Sequence, residues 1–73
     1  MDDVAEIELL RCEHAAVCTR PGCPHYPAST IIRYLDKEGR ALRQFAVCDR
    51  HAEVTVRREE RAGRPVRDLT RSL

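Results

Sequence analysis

Two short stretches in the middle of the chain carry the clearest signal for secondary structure. Residues 29–35 are rich in β-branched and aromatic side chains, which favour strands, and residues 41–47 are a second strand candidate. Between them, residues 36–40 place Gly39 where a hairpin loop needs a left-handed backbone. The pattern therefore predicts a β-hairpin. Alternate side chains of a strand share a face. Thr30, Ile32 and Tyr34 would therefore line one face of the first strand, and Phe45 and Val47 would share a face of the second.

The residues after the hairpin predict a charged helix. Asp49 is a candidate N-cap, residues 52–62 carry the helical pattern, and Gly63 is placed to end it. Pro65 prevents continuation of the helix beyond that point.

The two ends of the chain give weaker signals. Over residues 2–11, Val4, Ile7 and Leu10 would share a helix face, whereas residues 6–9 alternate as a strand would. A short strand or an irregular arm is favoured. Residues 66–73 are either a strap that packs through its apolar side chains or a disordered tail. The sequence is accordingly divided into an acidic arm (1–11), a central domain (12–62) that contains all four cysteines, and a basic tail (63–73).

The size of the chain predicts that the fold depends on a staple. A chain of 73 residues forms one domain with a thin core, and this chain has only three aromatic residues. The free energy gained from hydrophobic burial is therefore too small to offset comfortably the conformational entropy lost on folding. The four cysteines are the candidates for the staple. We expect a cytoplasmic protein, in which thiols stay reduced and metal binding is favoured over disulfides.

Four residues have the chemistry and spacing of a zinc site. Cys18 and Cys23 bracket a Pro-Gly turn, and Cys48 and His51 lie three positions apart at the predicted start of the helix. Three thiolates and one imidazole are a ligand set that tetrahedral Zn²⁺ prefers. The sequence predicts one structural Zn²⁺ on these four residues.

Other ligand choices remain open at this point. Cys12 could replace Cys18, His25 could replace either cysteine of the pair, and His14 lies nearby in sequence. The cysteine spacings match neither familiar ferredoxin pattern, and no Cys-x-x-Cys motif for thiol redox catalysis is present.

The predicted order of elements, a cysteine knuckle, a β-hairpin and a helix with the last two ligands in its first turn, resembles the treble-clef group of zinc fingers. The resemblance covers about residues 18–62 and rests on Cys18, Cys23, Cys48 and His51. Two features depart from the usual pattern: four residues separate the knuckle cysteines instead of two, and the fourth ligand is His. The resemblance implies a small α+β domain with a structural zinc and a binding role.

Charge does not single out a partner. The formal net charge is +1, so there is no global case for nucleic-acid or membrane binding. We expect a protein-interaction adaptor or regulator and no enzyme activity, since so short a chain leaves little room for a substrate pocket. A homodimer is one option. The alternative is a nucleic-acid-binding zinc finger that uses four arginines of the hairpin and helix: Arg43, Arg57, Arg58 and Arg61.

Overall fold

The computed structural model describes residues 3–13, 15–20, 23 and 26–70 of the chain. These residues form one sheet and one helix, in the order β1 (Glu6–Arg11), β2 (Thr30–Leu35), β3 (Ala41–Val47), α1 (Asp49–Arg61) and β4 (Val66–Asp68). The predicted small α+β class is confirmed. Within the described ranges, no helix has the length and apolar character needed to cross a bilayer.

The predicted hairpin is present. Strands β2 and β3 pair in antiparallel orientation, with Ile32 opposite Phe45. Gly39 has a φ of 81°, the left-handed conformation for which glycine is favoured. The Asp36 carboxylate accepts hydrogen bonds from the backbone N–H groups of Glu38 and Arg40, each at 2.9 Å. The loop is therefore closed by contacts that lie entirely within it.

Both ends of the chain contribute a strand to the sheet. The strand order is β3-β2-β1-β4, with β1 antiparallel to β2 and parallel to β4. Residues 6–11 of the predicted arm thus lie between two other strands, and residues 66–68 of the predicted tail form an edge of the sheet. The reason is burial: Ile7 and Leu9 of β1 are only 1% and 8% exposed.

The helix covers one face of this sheet. Because α1 links the edge strand β3 to the opposite edge strand β4, it crosses the sheet and buries the side chains beneath it. The two most deeply buried of these are Ile7 on β1 and Ile32 on β2. On the opposite face, Glu8 forms ion pairs with Arg33 at 3.7 Å and Arg67 at 3.8 Å.

The N-cap of the helix lies one residue before its predicted position. Cys48 is the N-cap, with an extended backbone (φ −76°, ψ 167°), and Asp49 is the first helical residue. The prediction of Asp49 as the N-cap is wrong, because its carboxylate instead accepts a hydrogen bond from the Ser29 hydroxyl. The carboxyl end matches its prediction. Gly63 has a φ of 82°, and its N–H donates to the Glu60 carbonyl while that of Arg64 donates to Glu59.

A buried carboxylate fixes the end of the helix. Glu59 is 5% exposed, and its Oε2 accepts a hydrogen bond from Arg64 at 2.8 Å. Its Oε1 lies 3.5 Å from Arg58. A buried carboxylate needs such partners because water does not solvate it. By contrast, Glu53 and Arg57 form an exposed pair at 2.6 Å on the same helix.

These two ion pairs should differ sharply in their contribution to stability. We expect Glu59→Gln to lower the free energy of unfolding by about 1–3 kcal/mol, because it weakens charge-assisted hydrogen bonds in a buried position. The matched change Glu53→Gln should cost about 0.5 kcal/mol or less, because water screens the exposed pair. Urea denaturation of the two variants and the unmodified protein measures both values. Equal losses for the two variants would contradict the prediction.

Candidate metal centre

The first two candidate ligands lie on a tight loop before the hairpin. The backbone N–H of Cys18 donates to the Tyr26 carbonyl at 2.9 Å, and that of Cys23 donates to Arg20 at 3.1 Å. These bonds bring the chain back on itself, so that both thiols are buried, at 4% and 9% exposure. The predicted Pro21-Gly22 turn between them lies outside the described residues.

The other two candidate ligands lie where β3 passes into α1. Cys48 is 5% exposed and caps the helix, and its carbonyl accepts a hydrogen bond from the N–H of Ala52 at 2.9 Å. His51 is in the first turn of the helix. Because residues three apart share a helix face, the thiol and the imidazole point to the same place.

The four side chains converge. The ligand atoms of Cys18, Cys23, Cys48 and His51 all lie within 4.8 Å of one another. The Nδ1 atom of His51 is 3.3 Å from the sulfur of Cys18 and 3.3 Å from the sulfur of Cys48. The sequence-predicted ligand set is thus assembled in one place, with Nδ1 as the nitrogen that faces the thiols.

This arrangement fits a tetrahedral metal ion. Typical zinc–sulfur and zinc–nitrogen bond lengths imply separations of about 3.5 Å between nitrogen and sulfur in a tetrahedral site. The two observed separations of 3.3 Å are close to this value. Donor chemistry agrees with geometry, since sulfur with imidazole in a tetrahedron is typical of zinc.

The electrostatics of the cluster also favour a bound cation. Burial opposes ionisation of Cys18, but hydrogen bonds from the backbone N–H groups of Cys48 and Arg20 and from His51 lower the pKa of Cys18 to about 6. Burial raises the pKa of Cys23, and repulsion from Cys18 and Cys48 adds to this effect, although a backbone hydrogen bond from Tyr26 opposes it. Three thiolates so close together repel one another, and a divalent cation removes that repulsion.

The backbone donors to Cys18 are the part of the site that sequence reasoning missed. The N–H groups of Arg20 and Cys48 stabilise the thiolate as the outer partners of a metal ligand do. The sequence indicated only that Arg20 and Cys48 belong to the two predicted pairs of ligands or lie beside them. Which backbone N–H groups point at the sulfur of Cys18 depends on the folded backbone.

The competing ligand candidates do not join the cluster where they can be placed. Cys12 is half-buried, its N–H donates to the Ser29 carbonyl at 3.0 Å, and it is outside the group of converging ligand atoms. His14 and His25 lie outside the described residues, so their part in the site stays a hypothesis.

The four arginines proposed for nucleic-acid binding have different surroundings. Arg43 and Arg58 line a groove between β3 and α1. Arg57 instead is bound to Glu53 at 2.6 Å and lies beside another part of the helix surface, and Arg61 is exposed in the last turn of the helix. The groove also contains Arg20, which was absent from the prediction because it lies far from the hairpin and helix in sequence.

Comparison with known proteins adds no relative. No family model, no curated protein and no solved structure matches the chain. The resemblance to treble-clef zinc fingers therefore stays a prediction, supported by the observed order of knuckle, hairpin and helix.

Proposed function

We propose that this protein is a binding module stapled by one structural Zn²⁺ and that it acts as a protein-interaction adaptor or regulator. The observation that carries the metal assignment is the convergence of three thiols and an imidazole within 4.8 Å. Four protein donors complete a tetrahedral shell, which is the arrangement of structural rather than catalytic zinc.

The position of the cluster explains what the metal would do. Cys18 and Cys23 belong to the loop before the hairpin, whereas Cys48 and His51 belong to the start of the helix. An ion on these residues ties two segments that are remote in sequence and fixes the helix against the sheet. In zinc-finger peptides such binding contributes about 10–16 kcal/mol to folding.

A binding role is favoured over catalysis by the same feature. A metal that has four protein ligands has no open position for a substrate or an activated water molecule. Protein is favoured over nucleic acid as partner because the net charge is only +1 and arginines such as Arg57 are neutralised by neighbouring acids. Treble-clef architecture and a cytoplasmic location remain part of this proposal.

Native mass spectrometry of protein purified without added metal tests the assignment. We expect one zinc per chain, and we expect chelation to remove the ion together with the circular-dichroism signal of the fold. Elemental analysis of the same sample identifies the metal. A metal-free protein with four reduced thiols and an unchanged fold would overturn the proposal. Partner class is tested separately by the salt dependence of the affinity. Nucleic-acid binding would weaken steeply with salt, in proportion to the number of phosphates neutralised, whereas the affinity for a protein partner should fall less steeply.

A further inference from the structure

A groove of about 280 Å³ runs between the helix and the edge strand of the sheet, beside the metal cluster. Strand β3, helix α1 and the knuckle loop each contribute to its walls. The lining side chains relevant to binding are Thr19 and Arg20 of the loop, Tyr34 and Arg43 and Phe45 of the sheet, and Arg58 of the helix.

The aromatic part of the groove is already organised. The rings of Tyr34 and Phe45 meet edge to face, with centroids 6.0 Å apart and planes at 79°. The guanidinium of Arg43 lies over the Tyr34 ring, 5.0 Å from its centroid. This stacking holds Arg43 in place, while Phe45 remains 44% exposed and so offers an apolar contact. A ligand would meet a cation beside an open ring.

The charge of the groove has one sign. Arg20, Arg43 and Arg58 line it, and no carboxylate does so among the described residues. Arg58 contacts the buried Glu59 at 3.5 Å, but its own side chain is 52% exposed and can reach a ligand. Since the whole chain carries a net charge of only +1, this positive field is local. A positive field that is confined to one groove complements a short anionic segment.

The neighbouring strand edge favours a peptide. Strand β3 is at the edge of the sheet, and the Ala46 carbonyl points outward to accept the N–H of Thr19 at 3.0 Å. Because backbone groups alternate in direction along a strand, the N–H and C=O of Gln44 point outward too. They are placed to bond with the main chain of an extended peptide, as in strand addition to a sheet edge.

We propose that this groove binds a short acidic peptide of a partner protein. Carboxylates of the peptide pair with Arg20, Arg43 and Arg58, an apolar side chain contacts Phe45, and its main chain bonds to Gln44. This inference rests on the proposed role as a protein-interaction module and names the chemistry of the partner. It is independent of which metal occupies the cluster.

The test uses the full metal-loaded chain and a displayed library of random twelve-residue peptides. Enriched peptides are synthesised with a fluorescent label, and their Kd is measured by anisotropy. We expect the enriched peptides to be rich in Asp and Glu. Arg43→Gln and Arg58→Gln should each weaken binding about tenfold or more, because each removes a charge-assisted contact. The control is Arg57→Gln, which removes the same charge from the next helical position outside the groove; it should change Kd less than about twofold.

Three results would overturn the proposal: no enriched peptide, enriched peptides without acidic residues, or equal losses for Arg57→Gln and Arg58→Gln. A labelled twelve-nucleotide oligo(dT) is measured in parallel. If it binds more tightly than every peptide and loses affinity in Arg43→Gln and Arg58→Gln, the groove is a nucleic-acid site instead. Zinc content and circular dichroism are recorded for each protein, so that failure of the metal proposal is seen separately from failure of peptide binding.

Discussion

Replacing Cys48 by Ser is expected to abolish metal binding and unfold the chain. The substitution removes one of four converging ligands and replaces a soft thiolate with a hydroxyl that binds zinc poorly. Metal binding contributes on the order of 10 kcal/mol in zinc fingers, which is comparable to the whole stability of a small domain. Since the thin core cannot compensate for this loss, the Cys48→Ser protein should hold no zinc and lack a cooperative thermal transition.

Cys12→Ser is the matched control for this prediction. It makes the same chemical change at a half-buried cysteine outside the ligand cluster. The control should keep one zinc per chain and melt cooperatively, with a modestly lowered midpoint. Native mass spectrometry and circular dichroism give both readouts. If Cys48→Ser kept its zinc and melted like the unmodified protein, the assigned ligand set would be wrong. If Cys12→Ser lost its zinc instead, Cys12 would belong to the site.

The second large effect is expected at Ile32. This side chain is 2% exposed and lies beneath the helix, on the face of β2 that also carries Thr30 and Tyr34. Truncation to alanine removes three buried carbon atoms and leaves a cavity that a close-packed core fills only in part. We expect Ile32→Ala to reduce the free energy of unfolding by about 2–5 kcal/mol, measured by urea denaturation with zinc present.

Ile31→Ala supplies a control of identical chemistry one residue away. Because neighbouring residues of a strand point to opposite faces, Ile31 lies on the side away from the helix and is only half-buried. Its truncation should cost clearly less than that of Ile32. Equal losses at the two positions would mean that the helix does not cover the predicted face of the sheet.

The sequence was sufficient wherever the decisive interactions are local. The hairpin follows from two strand-like stretches, residues 29–35 and 41–47, and from a loop in which Asp36 bonds to residues only two and four positions away. The end of the helix follows from Gly63, whose left-handed backbone closes the last turn. The preferred ligand set came from chemistry and spacing, because soft donors in pairs restrict the ions and the geometries that fit. Cys12 stayed open as an alternative until the fold brought the preferred four together, and His25 lies outside the described residues.

The position of β1 in the sheet could not be predicted from local sequence. Residues 6–9 alternate as a strand does, yet the surrounding apolar residues also fit a helix face. The choice depends on partners far away in sequence: Ile7 lies opposite Tyr34 on one side and Val66 on the other. No local pattern specifies such pairings, because their stability comes from the ladders and the buried face that exist only once the sheet has formed.

The groove likewise exists only in the tertiary structure. The sequence shows an arginine-rich chain with interleaved acids. From that composition alone, every arginine is an equally good candidate for binding an anion. Folding binds Arg57 to an acidic neighbour and brings Arg43 and Arg58 together with Arg20 from the knuckle loop. By itself, then, the sequence determined the local elements and the chemistry of the metal site. Which strands meet and which charges remain available depended on long-range packing, because those contacts join residues that no short pattern connects.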